Sequence, residues 1–540
     1  MDAVELRTLD GPNLFLLRPA IKLELRASDE ERSALDPEIL GLVRERVDVP
    51  QDASGRIDIA KQLAGVVAWL HAELDMGLAE IVVRELEEEG HAAVAFSWDR
   101  RRASKVLGHL AWRLVAGEAA DLEAELGEIR ALLTAEPDAS DLPEMWPDSK
   151  RTVPTIGITG TNGKTTTTRL VASILRHAGN KVGWSSSSGV LIDGEMVLSG
   201  DYTGPSGAAR VFEEPGIDYA VVETARGGIL LRGLGYEHND VSVMTNISAD
   251  HMGLHGVYSL DVLGEVKAVV ARVTREDGFA VLNADDLRVL RVRDVIVARP
   301  FLFTRNPEHA DVRRHVGVGG WALVVENNAI VWYHDGEHEV LAELDAVPVT
   351  FGGRAQHMVE NALAAAAACL GVRLSAEQVR EGLAAFHNRP DQNRGRLNVY
   401  EVDGATVVVD FAHNEAGLEH LLAFARGFCD SSGKLYAVIG TAGDRDEAAI
   451  TGIARIAATR ADRVIIKDSE RYLRGREAGE MLDLMRPVVG EVLVDETGNE
   501  REGFFSGLRR LEPGDVLAVM CVEDYETILP YLDERATSLS

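Results

Sequence analysis

Apolar positions fall into two regimes along the chain. Up to about residue 132 the apolar runs read as strands followed by helices, and the clearest helical stretches, 57–74 and 102–115, are amphipathic. From Ile156 onward, short apolar runs alternate with helical ones. Strands are predicted at 156–159, 219–223, 241–246 and 280–283, with helices after Lys164 and near 262–273. Such alternation predicts a parallel sheet covered by helices on both faces. A second alternating series begins near Val399, with strands at 406–410, 435–439, 463–467 and 516–520, and predicts another doubly wound sheet.

Between 133 and 155 four prolines, Pro137, Pro143, Pro147 and Pro154, stand among acidic and small residues, a linker composition because proline fits neither helix interior nor central strand. A polar stretch at 387–392 carrying Pro390 follows the helix expected near Ala355 and the segment 374–386, and reads as a hinge. The predicted fold class is therefore α/β with three domains. These are a small α+β N-terminal domain with linker (1–150), a P-loop central domain with a mainly parallel sheet (151–390) and a Rossmann-like C-terminal domain (391–540). The serine run 185–188 directly follows a predicted strand and is expected to be a loop.

Composition narrows the functional classes. Of 540 residues, 56 are Lys or Arg and 87 Asp or Glu, a net charge of -31 that repels nucleic acid and anionic membranes. No run approaches the ~20 apolar residues of a membrane helix, and charges occupy the first residues where a signal sequence needs an apolar core. Cys369, Cys429 and Cys521 are odd in number and widely spaced, so neither a disulfide framework nor a zinc site is legible. A cytoplasmic location is expected.

Chemistry enters at Gly160-Thr161-Asn162-Gly163-Lys164-Thr165-Thr166, which follows an apolar strand and opens a helix. In that context backbone amides and the helix N-terminus face anionic oxygens, Lys164 supplies a charge to the outer phosphates, and the Thr165 hydroxyl is a ligand for Mg²⁺. Ile158 occupies the place where the generic ATPase pattern requires glycine. Glu223 ends a predicted strand, and Asp250, His251 and His255 follow the next, so all are expected at one carboxyl edge of the sheet beside the phosphate loop. Hard oxygen ligands with a neutral imidazole suit Mg²⁺.

The Gly-Thr-Asn-Gly-Lys-Thr-Thr loop, followed by Glu223, Asp250-His251 and Lys267, resembles the central domain of the Mur ligases and folylpolyglutamate synthases. That resemblance implies that Lys267 is carbamylated and ligates a second Mg²⁺. It also implies that Asn361, in a stretch resembling the His-Asn-x-x-Asn-Ala-Leu-Ala-Ala helix, meets adenine; Met358 replaces one asparagine there. Arg394-Gly395-Arg396 and Asp410-Phe411-Ala412-His413-Asn414 resemble C-terminal elements of the same family, with Glu415 in place of proline. They imply Arg396 on phosphate, Asp410 on ribose and His413 orienting groups late in the reaction. Segments 200–206, 223–230, 233–236, 443–445 and 472–476, together with 6–13 and the 77–80 helix, look like the cyanophycin synthetase family. An ATP-grasp domain characteristic of that family is replaced here by the proline-containing linker, so a two-site polymerisation cycle cannot be intact.

The resemblance implies an ATP- and Mg²⁺-dependent ligase with Lys164, Lys267, His251, Arg396 and His413 as catalytic residues. Its partners would be a small-molecule or peptide carboxylate acceptor and an amine or amino acid, with self-association left open. The cluster Arg474–Arg476 offers bidentate carboxylate binding or a solvated basic loop. Two other readings stay open: a silent nucleotide-binding scaffold and a simple P-loop ATPase.

Overall fold

Three sheets organise the chain in the computed structural model, which describes residues 2–26, 59–77, 79–118 and 121–539. The first is four-stranded and antiparallel, with Asp2–Leu9, Ala20–Arg26, His91–Ser97 and Ile81–Glu85 as neighbours in that order. The helix expected at 57–74 is described as Ile59–Glu73, since 57 and 58 lie outside the described residues. It falls between the second and third strands in sequence, which corrects the expected order of strands followed by helices. The stretch 77–80 is also not a helix: its described residues lead straight into the strand Ile81–Glu85.

The second sheet has eleven strands. Its centre is parallel, Thr155–Thr159 lying between Asn239–Met244 and Tyr219–Glu223. All three strands are buried at their middles because helices cover both faces, Ser242 being the one polar side chain there. Both margins are antiparallel, Trp321–Glu326 to Glu337–Glu343 on one side and Val182–Ser186 to Glu195–Ser199 on the other. The period of two in those hairpins was overshadowed by the stronger helix-strand alternation. Ser185 and Ser186 complete an edge-side strand, and only Ser187 and Ser188 form the expected loop.

The third sheet has seven strands with a parallel centre, Ala405–Asp410, Val516–Met520, Leu435–Ile439 and Arg463–Lys467. Buried against it at the start of the helix Glu500–Leu508, Glu500 accepts from Lys467 Nζ (2.5 Å) and from the backbone amides of Val522 (2.9 Å), Glu523 (3.0 Å) and Asp524 (2.7 Å). Removing the carboxylate leaves a buried ammonium unpaired. Glu500→Ala is therefore expected to cost about 3–5 kcal/mol in urea unfolding; a cost within experimental error would mean the pair holds nothing together.

The proline-rich segment is strapped down. The amide of Trp146 donates to Gly235 O (2.9 Å), and Asp141 is buried against Arg100 and the amide of Arg102. The N-terminal sheet docks on the central one through backbone: Asp10 N donates to Arg232 O (2.7 Å) and Leu234 N to Pro12 O (2.7 Å). A Cβ at Gly11 would lie 1.9 Å from Leu234 O, so this seam requires glycine. Among the described residues no helix is long and apolar enough to cross a membrane, and the three cysteines are free.

Candidate active site

The three parallel central strands end at one level, with Ile158 opposite Glu223 and Thr159 opposite Met244. The loops that follow them therefore open into one cleft of about 450 Å³. Gly160 takes φ 146° and Gly163 φ 87°; a Cβ there would meet Thr245 Oγ1 at 1.9 Å and Asn361 Oδ1 at 2.2 Å, so only glycine lets the loop turn this tightly. The helix Lys164–His177 begins at Gly163 without a side-chain cap, which leaves its first amides and positive dipole end for an anion. Thr161 and Asn162 pin the loop to the neighbouring strand end through Asn246 and Ser248. Lys164 Nζ donates to Thr161 O (2.8 Å), and Thr166 is buried behind it.

Glu223 is fully buried at the cleft floor. Thr165 Oγ1 donates to its Oε1 (3.2 Å) and lies 3.0 Å from Ser187 Oγ. The other oxygen, Oε2, is buried without a partner. Burial pushes this carboxyl above its ordinary value, opposed by Lys164 and the Thr165 hydroxyl. A half-satisfied carboxylate beside a hydroxyl in a dry site is costly on its own and suits an incoming divalent cation. Lys267 is also buried, its Nζ donating to Gly160 O (2.7 Å). Burial, and then Lys164 nearby, hold its ammonium well below the usual lysine range.

Asp250, His251 and His255 rise from the loop after Asn239–Met244, with His251 (φ 51°) and His255 (φ 57°) in the left-handed region. His251 is brought down to about 4 by burial, against the pull of Asp250, so its imidazole is neutral and free to ligate. His255 stands at the mouth between this cleft and a second one of about 310 Å³ under the N-terminal sheet.

The third sheet closes the cleft from the opposite side. Asp250 pairs with Arg445 (2.6 Å) and approaches His413 Nε2 (3.7 Å), while Asn414 Nδ2 donates to Asn162 Oδ1 (3.0 Å). Arg396 stacks on Phe411, its guanidinium carbon 4.2 Å from the ring centroid, and is held in place by the Gly395 turn. Asp410 accepts from the amide of Leu397 (2.8 Å) and lines the cleft. Burial tends to raise the Asp250 carboxyl, but His413 and Arg445 outweigh it and hold it well below the ordinary range. A depressed carboxylate contributes stability above its unfolded value and loses it as pH falls through the folded value. Wild type is thus expected to lose this cross-cleft contribution only below pH about 4. Asp250→Asn should flatten that acid limb in melting curves between neutral pH and pH about 3; an unchanged limb would remove Asp250 from the account.

At the far end Asn361 faces the cleft beside Gly163, accepting from Thr167 Oγ1 (3.4 Å) and contacting Met358. His357 and His420 meet there across the two sheets, ring centroids 5.3 Å apart. Of the basic loop, Arg474 (φ 46°) reaches the cleft and pairs with Asp444 (2.5 Å), whereas Arg476 is spent on Gly443 O, Arg445 O and Glu480.

Every residue singled out from the sequence as catalytic, phosphate-binding or metal-ligating reaches this cleft or forms the wall behind it. Sequence reasoning missed Arg169, Ser187 and His420. For Arg169 a signal existed, because it lies four residues after Thr165 and thus on the same helix face. Nothing local marked His420.

Two doubly wound sheets meeting over a P-loop cleft define a multidomain P-loop α/β protein. Residues 158–369 match the Mur ligase middle domain and residues 395–521 the Mur ligase glutamate ligase domain, together more than half of the chain. The chain belongs to the Mur ligase family. It is 40% identical over 344 residues to the cyanophycin synthetase of Trichormus variabilis, an alignment covering 64% of this chain and 38% of that one. It thus spans well under half the length of the cyanophycin synthetases it matches. The UDP-N-acetylmuramyl-tripeptide synthetase of Deinococcus radiodurans is 27% identical over 496 residues, 87% of this chain and 90% of that one. Among solved structures, Escherichia coli FolC in complex with DHPP and ADP superposes with a TM-score of 0.53 at 21% identity, covering 71% of this chain and 89% of that chain. A pseudomurein peptide ligase type C from Methanothermus fervidus reaches 0.51 at 20% identity, covering 80% and 84%. Both likenesses concern the fold.

Proposed function

We propose that the protein is a cytoplasmic ATP-dependent carbon-nitrogen ligase that activates a carboxylate as an acyl phosphate and couples it to an amine. The observation that carries this reading is the single cleft into which Lys164, Glu223, His251 and Lys267 reach from one sheet and Arg396, Asp410 and His413 from the other. The names of the curated relatives, both synthetases, support the same class. Free thiols and ATP as co-substrate suit the cytoplasm.

In this reading the amides at the start of the helix Lys164–His177 hold the phosphate chain, and Lys164 turns from Thr161 O to the outer phosphates. Thr165, Glu223, His251 and the carbamate of Lys267 are the residues that would hold Mg²⁺, and the unpartnered Glu223 oxygen fits a hard cation. Bound there, Mg²⁺ neutralises charge on the phosphates. Burial lowers the proton affinity of Lys267 and so favours the free amine, the form that reacts with CO₂ to give a carbamate. Arg396 faces the transferring phosphoryl group, Asp410 accepts from a ribose hydroxyl, and Asn361 borders the adenine.

An acceptor carboxylate oxygen takes the γ-phosphoryl group and ADP leaves. The amine nitrogen then attacks the acyl carbon, phosphate departs, and the amine gives up a proton. His413, beside Asp250, orients groups in this second half. Arg474 offers a carboxylate site for an amino acid as amine donor. No protein nucleophile is required.

The test is mass spectrometry after incubation with ATP, Mg²⁺, pooled acidic peptides and amino acids. The expected product is acceptor plus amino acid less one water, matched by ADP and phosphate. Steady phosphate release indifferent to acceptor and amine would make the protein a simple ATPase instead, and no turnover with any pair would make it a scaffold.

A further inference from the structure

One cation next to the cleft has no part in the reading so far. Arg169, on the helix that begins with Lys164, donates to Ser188 Oγ (2.8 Å), Arg394 O (3.0 Å) and Asn393 Oδ1 (3.3 Å). All three acceptors are neutral, and no carboxylate lies within ion-pair distance of it among the described residues. Its contacts join three pieces of the site. Ser188 adjoins Ser187, which bonds the Thr165 hydroxyl, and Asn393 and Arg394 form the turn that delivers Arg396.

Burial, and then the charge of Arg396, bring the Arg169 guanidinium down to about 10, against the pull of Glu223. Arg169 is still cationic at neutral pH. Two guanidinium groups share this dry wall, one at the cleft and one behind it; Glu223 and, for Arg396, Asp410 offset part of their field, and an anion in the cleft offsets more of it.

We infer that Arg169 is a positioning residue that sets Arg396 and, with it, forms a paired cationic wall for the phosphoryl group released or transferred at the cleft. The inference deepens the ligase reading and rests on it for the identity of the anion. Its test is binding rather than turnover. Inorganic phosphate and MgADP are titrated calorimetrically into the full chain, wild type, Arg169→Gln and Arg169→Lys, with melting temperature as the check on folding.

Arg169→Gln is expected to weaken phosphate binding about tenfold, and MgADP binding less than threefold because ADP lacks the outer phosphate. Arg169→Lys, which keeps the charge but not the fork, should recover most of the loss. Equal phosphate affinity in wild type and Arg169→Gln overturns the inference alone. A lysine variant as weak as glutamine also overturns it, reducing Arg169 to a latch. Failure of wild type to bind either ligand overturns both the inference and the ligase reading.

Discussion

Lys164→Met should lose about 10³-fold or more in ligation rate, equivalent to about 4 kcal/mol of transition-state stabilisation. The loss should fall on kcat rather than on folding. The Lys164 ammonium donates to Thr161 O at 2.8 Å, and Lys164 lines the cleft rather than the core. Methionine preserves the length and apolar stem, so the helix start and the turn at Gly163 should survive, while the charge that meets the outer phosphates is gone. Initial rates of ADP formation in the presence of acceptor and amine, with the melting temperature recorded alongside, measure the effect. A variant that retains even a tenth of wild-type kcat would place the phosphates elsewhere.

Glu223→Gln should separate stability from activity in opposite directions. Burial without a protein partner for Oε2 makes this carboxylate expensive to keep. An amide of the same shape removes that cost, so the variant should melt at the wild-type temperature or a few degrees above it. Activity should fall about 10²- to 10³-fold, with a higher Mg²⁺ concentration needed for half-maximal rate, because a neutral amide oxygen is a weaker ligand for a hard cation. A titration of rate against Mg²⁺ combined with thermal melting decides the matter. Loss of stability together with unchanged Mg²⁺ dependence would turn Glu223 into a structural residue.

The parallel strands of both large sheets were legible because buried parallel strands are continuous apolar runs bounded by helices; Tyr219–Glu223, Leu435–Ile439, Arg463–Lys467 and Val516–Met520 coincide with the expected spans. The antiparallel margins were not. Glu195–Ser199 and Glu337–Glu343 are largely exposed, and strands of that kind carry a weaker alternation than the helices around them. The prolines of 133–155 predicted a linker, yet composition says only what a segment cannot form. Its docking through Trp146 and Asp141 depends on surfaces that lie far away in sequence.

By itself the sequence determined the phosphate loop, the strand-end position of Glu223 and the order of chemical groups along the chain, since these follow from local rules: glycine where a Cβ is forbidden, polar residues where a strand ends. Only the tertiary structure decided the pairings across the cleft: Asp250 with Arg445, Asn162 with Asn414, His357 with His420, and Arg169 behind Arg396. Long-range packing sets which distant side chains share a low-dielectric space, and that sharing moves their charges and proton affinities.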